Sequence, residues 1–389
     1  MYNSAGVSRS ATLLDAQMSS EQALLREVTA QFVNEACPLP TLRALRGVAT
    51  TMPEGYWRRG AELGWFSMLV PEEWGGGNVS GDGVIDAAIH AEVRGARVQP
   101  GPFIPTNIVA FALAHNGARQ HREQVLPALI AGERIASWAH PAPIGRGTVT
   151  ANPCDGGHAL RGVTGVVQDP DVADWFLLDV DAEGASRQVL LSAYAEGVEV
   201  RRLESLDFCL QMGRLELDGV QITDADFVGT AASTPADLSS QLDIAAVLNV
   251  AETVGAMDTL FEMTVRYAAD RVAFGRPIGS FQAVKHQLAD LSLTLEMAKA
   301  SVQAAATAVG TAVTHGHTDS HAAMITSVAK SFVGDASMQM SQGCFQVFGG
   351  IGFTWEHDLH LYLRRAAVNE VLYGTPTWHR DRIVTLGLR

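Results

Sequence analysis

The sequence is poor in cysteine, with four in 389 residues. None of them belongs to a Cys-x-x-Cys pair, and their spacing matches no common zinc site. Neither a disulfide framework nor a metal centre is therefore indicated. Isolated thiols fit a reducing cytoplasm, where we expect the protein to work. The four are Cys37, Cys154, Cys209 and Cys344.

Positive charge is also scarce. Lysine occurs only at Lys285, Lys299 and Lys330, the formal net charge is -14, and no run of basic residues interrupts this excess of negative charge. Such a surface repels nucleic acid phosphates and anionic lipid headgroups. We therefore expect no nucleic acid partner.

Long apolar runs are missing as well. The N-terminus has no apolar segment typical of a signal peptide, and we find no later run of about 18 apolar residues, so we predict neither export nor a membrane span. The charged fraction of 18% is low for a chain of this size, whereas 47% of the residues are hydrophobic. Part of the outer surface is therefore predicted to be buried in an oligomer.

The pattern of apolar residues is typical of helices in the first part of the chain, of β-strands in the middle and of helices again in the last part. Apolar residues recur with helical spacing from Ser19 to about residue 131, with an interruption at the glycine-rich residues 71–77. Short apolar runs separated by Gly, Pro and Asp follow, as in antiparallel strands. Helical spacing then returns, for example at Val247, Val250 and Val254. We predict an α+β fold with three domains: N-terminal helical (1–134), middle antiparallel β (135–232) and C-terminal helical bundle (233–389).

Residues 266–282, RYAADRVAFGRPIGSFQ, form the first motif whose side chains are suited to binding a ligand. A helix must end here, because Phe274-Gly275 is followed by Pro277 and Gly279. Arg271 stands just before this break and has the fork geometry that binds phosphate. Phe274 and Gln282 offer an apolar face and an amide to a heteroaromatic ligand. The alternative is a helix end with a capping arginine.

Residues 346–365, QVFGGIGFTWEHDLHLYLRR, form the second motif. Gly349 and Gly350 let the backbone approach a phosphate closely, beside a following helix whose N-terminus favours anions. A glycine pair alone is also compatible with a plain turn between helices. The evidence gains weight because both motifs occur in this order, about 70 residues apart, in one helical domain.

Together these two segments resemble the FAD-binding signatures of acyl-CoA dehydrogenases. The resemblance extends to LGWFSMLVPEEWGGG at residues 63–77 and to LYGTPTWHR at residues 372–380. It implies an acyl-CoA dehydrogenase-like fold whose C-terminal domain is a four-helix bundle. It also implies a dimer or tetramer with FAD at a subunit interface, an acyl-CoA substrate and an electron-acceptor flavoprotein as partner.

The resemblance also assigns roles to individual residues. Residues matching Arg271, Phe274 and Gln282 reach the FAD of a neighbouring subunit. Residues matching Gln346, Gly349 and Gly350 contact the adenosine and pyrophosphate side of that cofactor. The family reaction is α,β-desaturation, in which a carboxylate removes the α-proton while hydride passes from the β-carbon to the flavin, with the thioester oxygen stabilised by hydrogen bonds.

The catalytic carboxylate of the family is not found. In the family it is the Glu of a Tyr-Glu-Gly-Thr motif, and this chain places Tyr373 there. A phenol with an ordinary pKa near 10 is a poor base at neutral pH. Other members carry the Glu on the first long helix of the C-terminal domain, a position that corresponds to Ala245. The catalytic base is therefore unknown, and Glu252, two helical turns from Ala245, is expected to be an ordinary polar residue.

The contacts that a subunit makes to its own flavin are altered too. The Thr-Glu-Pro motif is replaced by Ala139-His140-Pro141, and the Trp-Ile-Thr motif by Val166-Val167-Gln168. Asp243 matches a family contact to the pantetheine of CoA, but the arginine expected three residues later is Ala246. The histidines at positions 357, 360 and 379 have no metal-site spacing, so we interpret them as solvated or interfacial.

Three functional hypotheses remain open. The first is an active acyl-CoA dehydrogenase with an unidentified base. The second is a catalytically incomplete subunit that pairs with a paralogous chain in a heteromeric enzyme, as heteromeric family members do in actinobacterial steroid degradation. The third is a family member with non-redox acyl chemistry. The acyl group and the partner subunit cannot be identified from the sequence.

Overall fold

The computed structural model describes residues 18–44, 52–140, 147–316 and 319–388. The N-terminal part is helical. Ser19 caps the first helix through a capping box with Gln22, and Asp82 caps the fourth, which explains where both begin. The helices are α1 (Ser20–Ala36), α2 (Leu39–Ala44), α3 (Tyr56–Glu62), α4 (Gly83–Gly95), α5 (Phe103–Asn116) and α6 (Leu126–Ile130).

The middle of the chain forms a nine-stranded sheet among the described residues. The main strand order is β4-β8-β3-β2-β5-β6-β9, with β1 beside β5 and β7 beside β8. The strands are β1 (Ala136–Ala139), β2 (Thr148–Cys154), β3 (Gly157–Val163), β4 (Val167–Gln168), β5 (Trp175–Ala182), β6 (Ala185–Ser192), β7 (Val198–Leu203), β8 (Met212–Ile222) and β9 (Phe227–Val228).

The predicted antiparallel sheet is in fact mixed. Most neighbouring strands are antiparallel, but β1 runs parallel to β5 along four residue pairs, and β2 meets β5 in a parallel bridge. The reason is topological. The chain enters the sheet from the helical domain at β1, and β5 returns beside it in the same direction only after β2, β3 and β4. Strand patterning alone does not reveal such a crossover.

The C-terminal part is a helical bundle. Helices α7 (Thr234–Asp270), α8 (Gln282–Thr314) and α9 (Ser320–Phe348) are long, and a short hairpin of β10 (Val272–Ala273) and β11 (Arg276–Pro277) joins the first two. Helix α9 packs on both α7 and α8, and the shorter helices α10 (Leu359–Val371) and α11 (Pro376–Gly387) pack on α9. Val247, Val250 and Val254, which have the predicted helical spacing, are buried on α7.

Helix α7 is long and apolar enough, by length and composition alone, to cross a membrane. An 18-residue window of this helix has a mean hydropathy of 1.4. However, 78% of that window is buried inside the protein, with α4, α9 and the sheet packed around it. This burial is typical of the core helix of a folded domain.

A buried guanidinium joins the three parts of the chain. Arg365 on α10 is fully buried and forms ion pairs with Asp207, at 2.5 Å, and with Glu252 on α7. It also donates hydrogen bonds to the carbonyl oxygens of Val98 and Gln99, in the N-terminal part. Asp207 belongs to the segment between β7 and β8, so one side chain contacts all three regions.

We predict that Arg365→Leu destabilises the protein by on the order of 3 to 5 kcal/mol, because it leaves the carboxylates of Asp207 and Glu252 buried without their cation. Urea unfolding followed by circular dichroism measures the loss. The matched control is Arg364→Leu, since the neighbouring Arg364 donates only an exposed hydrogen bond to the carbonyl of Leu206. Equal midpoints for the two variants would contradict the assignment.

Candidate functional site

The first motif forms an exposed corner between α7 and α8. Arg271 ends α7, where its N–H donates to the carbonyl of Tyr267 at 2.8 Å and its own carbonyl accepts from Ile278. Phe274 stands at the tip of the β10-β11 hairpin with φ +53°, and its side chain is 96% exposed. Gln282 is the first residue of α8 and is also exposed. The three side chains therefore point away from the chain's own core.

The second motif forms the end of α9. Gly349 has φ +64° and ψ -145°, a conformation that favours glycine. A Cβ atom placed on Gly349 or on Gly350 would meet no atom of the described chain within 4 Å. Gln346, one turn earlier, is exposed. The backbone at this end is therefore open to a ligand that approaches from outside.

The structure brings the two motifs together. Tyr267, one turn before Arg271, stacks on Phe348 at the end of α9, with ring centroids 4.3 Å apart. Both motifs thus lie at the same end of the bundle. Exposed apolar side chains accompany them, including Ile351 and Phe353, of which Phe353 is 73% exposed. We call the six predicted FAD residues and these apolar neighbours the outward face: Arg271, Phe274, Gln282, Gln346, Gly349, Gly350, Ile351 and Phe353.

Tyr373 lines a second, internal feature, a cavity of about 240 Å³ between the sheet and the end of α10. Its backbone is left-handed, with φ +59°, and its ring stacks on that of Trp138 with centroids 6.1 Å apart and planes at 20°. Burial, with the charges of Glu252 and Asp169, raises the pKa of the Tyr373 phenol well above its usual range. This phenol therefore stays protonated and cannot act as a base.

The loop that carries Tyr373 is firmly held. The Nε2 atom of His379 lies 3.0 Å from the carbonyl oxygen of Tyr373 and donates to it. The buried ammonium of Lys330 donates to the carbonyl of Asn369 at 2.6 Å, at the end of α10. Thr375 then caps α11 by accepting from the N–H of Trp378. The hydrogen bonds of the LYGTPTWHR segment thus hold the backbone at position 373, and none of them involves the side chain at that position.

The positions that match a subunit's own flavin contacts line the same cavity. Trp138, His140, Val166 and Gln168 all belong to its walls. Burial lowers the pKa of His140 to about 3, with a further contribution from Arg382, so its ring is neutral. Pro141, the last residue of the altered motif, lies outside the described residues. The structure thus brings His140, Val166 and Gln168 together at one cavity, and their match to flavin-contact positions stays a prediction.

The remaining predicted residues lie within the bundle. Ala245, the alternative base position, is fully buried on α7 and carries no ionisable group. Glu252 is bound to Arg365, a structural role that agrees with its interpretation as an ordinary polar residue. Asp243 is fully buried and its carboxylate accepts from Arg382 of α11 at 2.5 Å. Its contact with a CoA pantetheine remains a prediction.

Sequence reasoning missed the one carboxylate that lines the cavity among the described residues. Glu204 follows β7 and is the only carboxylate among the described residues that line the cavity. It is exposed, and no motif surrounds it, so the sequence carried no signal for it. The histidines at 357, 360 and 379 belong to no group of three or more metal-ligand side chains within the described ranges.

Comparison with known protein families gives two matches. Residues 19–133 match the acyl-CoA dehydrogenase N-terminal domain, and residues 236–386 match the acyl-CoA dehydrogenase C-terminal domain. Acyl-CoA dehydrogenase IpdE2 of Mycobacterium tuberculosis is 30% identical over 358 residues, which cover 92% of this chain and 94% of the relative. IpdE2 of Mycolicibacterium smegmatis is 29% identical over 360 residues, 92% of this chain and 96% of the relative.

Among solved structures, a chain of the ChsE4-ChsE5 complex from Mycobacterium tuberculosis is similar to this protein. It superimposes with a TM-score of 0.85 at 25% identity, and the match covers 96% of this chain and 98% of that one. These similarities confirm the predicted α+β fold class, with the mixed sheet between two helical regions.

The buried carboxyl group of Asp169, beside the cavity residue Gln168, is expected to make the stability of the folded protein depend on pH. Burial raises the pKa of Asp169 to about 7, above the value near 3.9 of an unfolded chain. At Asp169 the folded protein then binds more protons than the unfolded chain between about pH 4 and 7, so the contribution of this group to stability falls as pH rises through that window, by at most about 1.4 kcal/mol per pH unit. Buried histidines such as His140, whose pKa is lowered, contribute a slope of the opposite sign. We therefore expect the unfolding free energy of Asp169→Asn, which keeps the shape of the protonated acid, to rise relative to that of the wild type across the same window.

Urea midpoints between pH 4.5 and 7.5 measure the effect. Asp155→Asn is the control, because it changes an exposed turn carboxylate that should leave the slope intact. An unchanged slope in Asp169→Asn would show that Asp169 is ionised throughout this range.

Proposed function

Because the chain belongs to the acyl-CoA dehydrogenase family, whose members are oxidoreductases, we propose that it is one subunit of a heteromeric acyl-CoA dehydrogenase. It contributes FAD contacts to its neighbour, and a paralogous chain supplies the catalytic carboxylate. The observation that carries this proposal is an asymmetry. The residues of the outward face are exposed, whereas the chain's own cavity has a protonated tyrosine where the family has its base and altered residues at the flavin-contact positions.

The outward face fits the adenosine and pyrophosphate parts of an FAD held by another subunit. The Arg271 guanidinium can bind a phosphate with two parallel hydrogen bonds, and the exposed ring of Phe274 can cover a heteroaromatic ring. Gly349 and Gly350 leave open space where a Cβ would otherwise stand, so their backbone can approach phosphate oxygens. FAD bound there supplies the acceptor for the β-hydride, and an electron-acceptor flavoprotein reoxidises it.

The chain's own cavity does not fit that cofactor. It is a groove that is partly open to solvent, and the family's flavin-contact motifs are replaced in it by residues such as His140, Val166 and Gln168. The stacked rings of Trp138 and Tyr373 form part of its wall. The protonated phenol of Tyr373 and the methyl group of Ala245 cannot remove an α-proton. An acyl-CoA is therefore desaturated in the neighbour's site.

The similarity to a chain of the ChsE4-ChsE5 complex supports a heteromeric assembly of dimer or tetramer size. The cysteines are isolated free thiols, as expected in a reducing compartment, and this supports a cytoplasmic location. In this arrangement Asp243 holds Arg382 and α11 in place, and a role in binding pantetheine would require it to exchange that partner.

Glu204 supports a second candidate function, an active homomer. Its carboxylate lies on the wall of the cavity, beside the altered flavin-contact positions. If FAD entered this cavity after Tyr373 and Trp138 moved apart, Glu204 would be the base. The two functions differ in what the protein does when it is purified alone.

We predict that the protein purified alone carries almost no flavin absorbance near 450 nm. Co-expressed with a paralogous acyl-CoA dehydrogenase chain that keeps the family's glutamate, it should give a complex with one FAD for every two chains. Arg271→Ala in this chain should weaken FAD binding to the complex by about 10- to 150-fold, since a charge-assisted contact contributes about 1.5 to 3 kcal/mol.

Arg266→Ala is the matched control. Arg266 lies five residues earlier on α7, is exposed, and pairs with Glu262 of its own helix. Full FAD occupancy in the Arg271→Ala complex would show that the outward face does not hold FAD, and stoichiometric FAD in the chain purified alone would overturn the heteromeric assignment.

A further prediction separates the two candidate functions. Glu204→Gln should leave the rate of acyl-CoA desaturation by the complex within about twofold of wild type, measured with a dye acceptor. Substitution of the partner's glutamate by glutamine should reduce that rate by a factor of about 10² to 10⁴, the usual contribution of a general base. A comparable loss in Glu204→Gln would identify Glu204 as the base and favour the active homomer.

A further inference from the structure

Helix α8 carries a stripe of apolar and small side chains that the rest of the described chain leaves exposed. Its members are separated alternately by four and three residues, the spacing with which one helix packs along another. Leu293 is 63% exposed and Met297 is 49% exposed, so two large apolar side chains are in contact with water. We call this set the α8 stripe: Leu293, Met297, Ala300, Ala304, Thr307 and Thr311.

The α8 stripe contains no charged residue. Between residues 293 and 311 the only ionisable side chains are Glu296 and Lys299. They bind each other at 3.2 Å, and the buried Lys299 also pairs with Asp258 of α7 at 2.7 Å. The solvent-facing side of a helix usually carries charges, whereas the centre of a protein interface is depleted of them. An uncharged face of about five helical turns is therefore typical of a surface that another helix covers.

The two halves of the α8 stripe differ in side-chain size. The N-terminal half contains Leu293 and Met297. The C-terminal half borders a groove of about 570 Å³ between α8 and the beginning of α9, where Ala304 and Thr307 form part of one wall and Ile325 part of the other. The helix therefore presents large apolar side chains at one end of its stripe and space for such side chains at the other end.

A second copy of the same chain matches this arrangement. When two α8 helices lie antiparallel about a twofold axis at Ala300, Leu293 of one copy is level with Thr307 of the other. Met297 is then level with Ala304 of the other copy. Each pair of large side chains enters the groove of the opposite copy, and the symmetry forms this contact twice. A parallel arrangement would instead place Leu293 and Met297 against their own counterparts and leave both grooves unfilled.

We propose that two copies of this chain associate through antiparallel α8 helices, with Leu293 and Met297 of each copy in the groove of the other. The contact forms without a paralogous subunit, so it does not depend on the proposed function. Gln282 of the outward face lies on the same helix, about three turns before the stripe. One helix thus carries two interfaces, and an assembly that uses both contains two copies of this chain and two of its paralogous partner.

Disulfide cross-linking of the full-length chain tests the register. The background variant Cys154→Ser removes the exposed native thiol. In that background, Ala300→Cys places a thiol at the twofold axis, and mild oxidation should link most chains into a dimer on a non-reducing gel. Thr311→Cys is the matched control on the same stripe, because antiparallel helices hold its two thiols about 30 Å apart, beyond the reach of a disulfide.

Sedimentation equilibrium of the chain purified alone measures the affinity. The wild type should have twice the mass of one chain at micromolar concentration. Ala304→Arg fills the groove and should weaken the association by about 100-fold or more, since the overpacked contact occurs twice. Ala225→Arg is the control, because this exposed alanine lies between β8 and β9 and its replacement should leave the mass unchanged.

A charge pair tests the predicted neighbours directly. Met297→Glu alone should also weaken the association, because it places a carboxylate in the groove of the other copy. Combined with Ala304→Arg, it should restore the affinity to within about tenfold of the wild type, because opposite charges then face each other twice across the axis. On one helix the two positions are seven residues apart, about 10 Å, so they cannot pair within a chain.

Four outcomes would overturn the proposal: a monomeric wild type, no link in Ala300→Cys, equal linking of Ala300→Cys and Thr311→Cys, or an unchanged dimer in Ala304→Arg. If circular dichroism shows that Ala304→Arg is unfolded, Met297→Glu takes its place with the same expectation. Absorbance near 450 nm reports on the proposed function separately. A colourless monomer overturns only the α8 contact, and a yellow dimer linked through Ala300→Cys overturns only the proposed function.

Discussion

The buried guanidinium of Arg365 is the interaction on which the rest of the structure depends. It is the one point where α10, α7, the β7-β8 segment and the backbone after α4 meet through hydrogen bonds among the described residues. A charge in the interior is tolerated only when it is paired and fully hydrogen-bonded, and Arg365 meets that condition through Asp207 and Glu252. The sheet is thereby held against the bundle.

The same interaction explains why the two halves of the site differ. The side chain of Glu252 is occupied by Arg365, and burial raises the pKa of both the Tyr373 phenol and the Asp169 carboxyl group, so the neutral forms of these side chains are favoured. The outward face lies at the far end of α7 and α9, where no such constraint applies. Its residues remain exposed and keep the side chains that a neighbouring subunit's cofactor needs. In the proposed heteromer, the chain would lack its own reaction centre and still contribute to that of its neighbour.

Much of the fold could be predicted from the sequence, because the information was local. The apolar spacing on α7 and α8, the helix end at Arg271 and the glycine turn after Phe348 are all determined within a few residues. The family and its oxidoreductase class followed from these motifs. Long-range features could not be predicted: the parallel pairing of β1 with β5, the ion pair of Arg365 with Glu252 across 113 residues, and the stacking of Trp138 on Tyr373 all require the folded chain. The Glu204 carboxylate was missed because no pattern marks it.

The exposed aromatic tip at Phe274 has a consequence for how the protein must be made. The Phe274 ring is 96% exposed, and Ile351 and Phe353 of the second motif are exposed as well; exposed apolar groups of this kind favour association with other chains. In the proposed heteromer, a copy synthesised in excess of its partner would present these groups to other excess copies and to chaperones. Balanced synthesis of the two chains, most simply from one message, would then remove that hazard. Such balance would depend on gene order and translation rate, which the folded chain does not control.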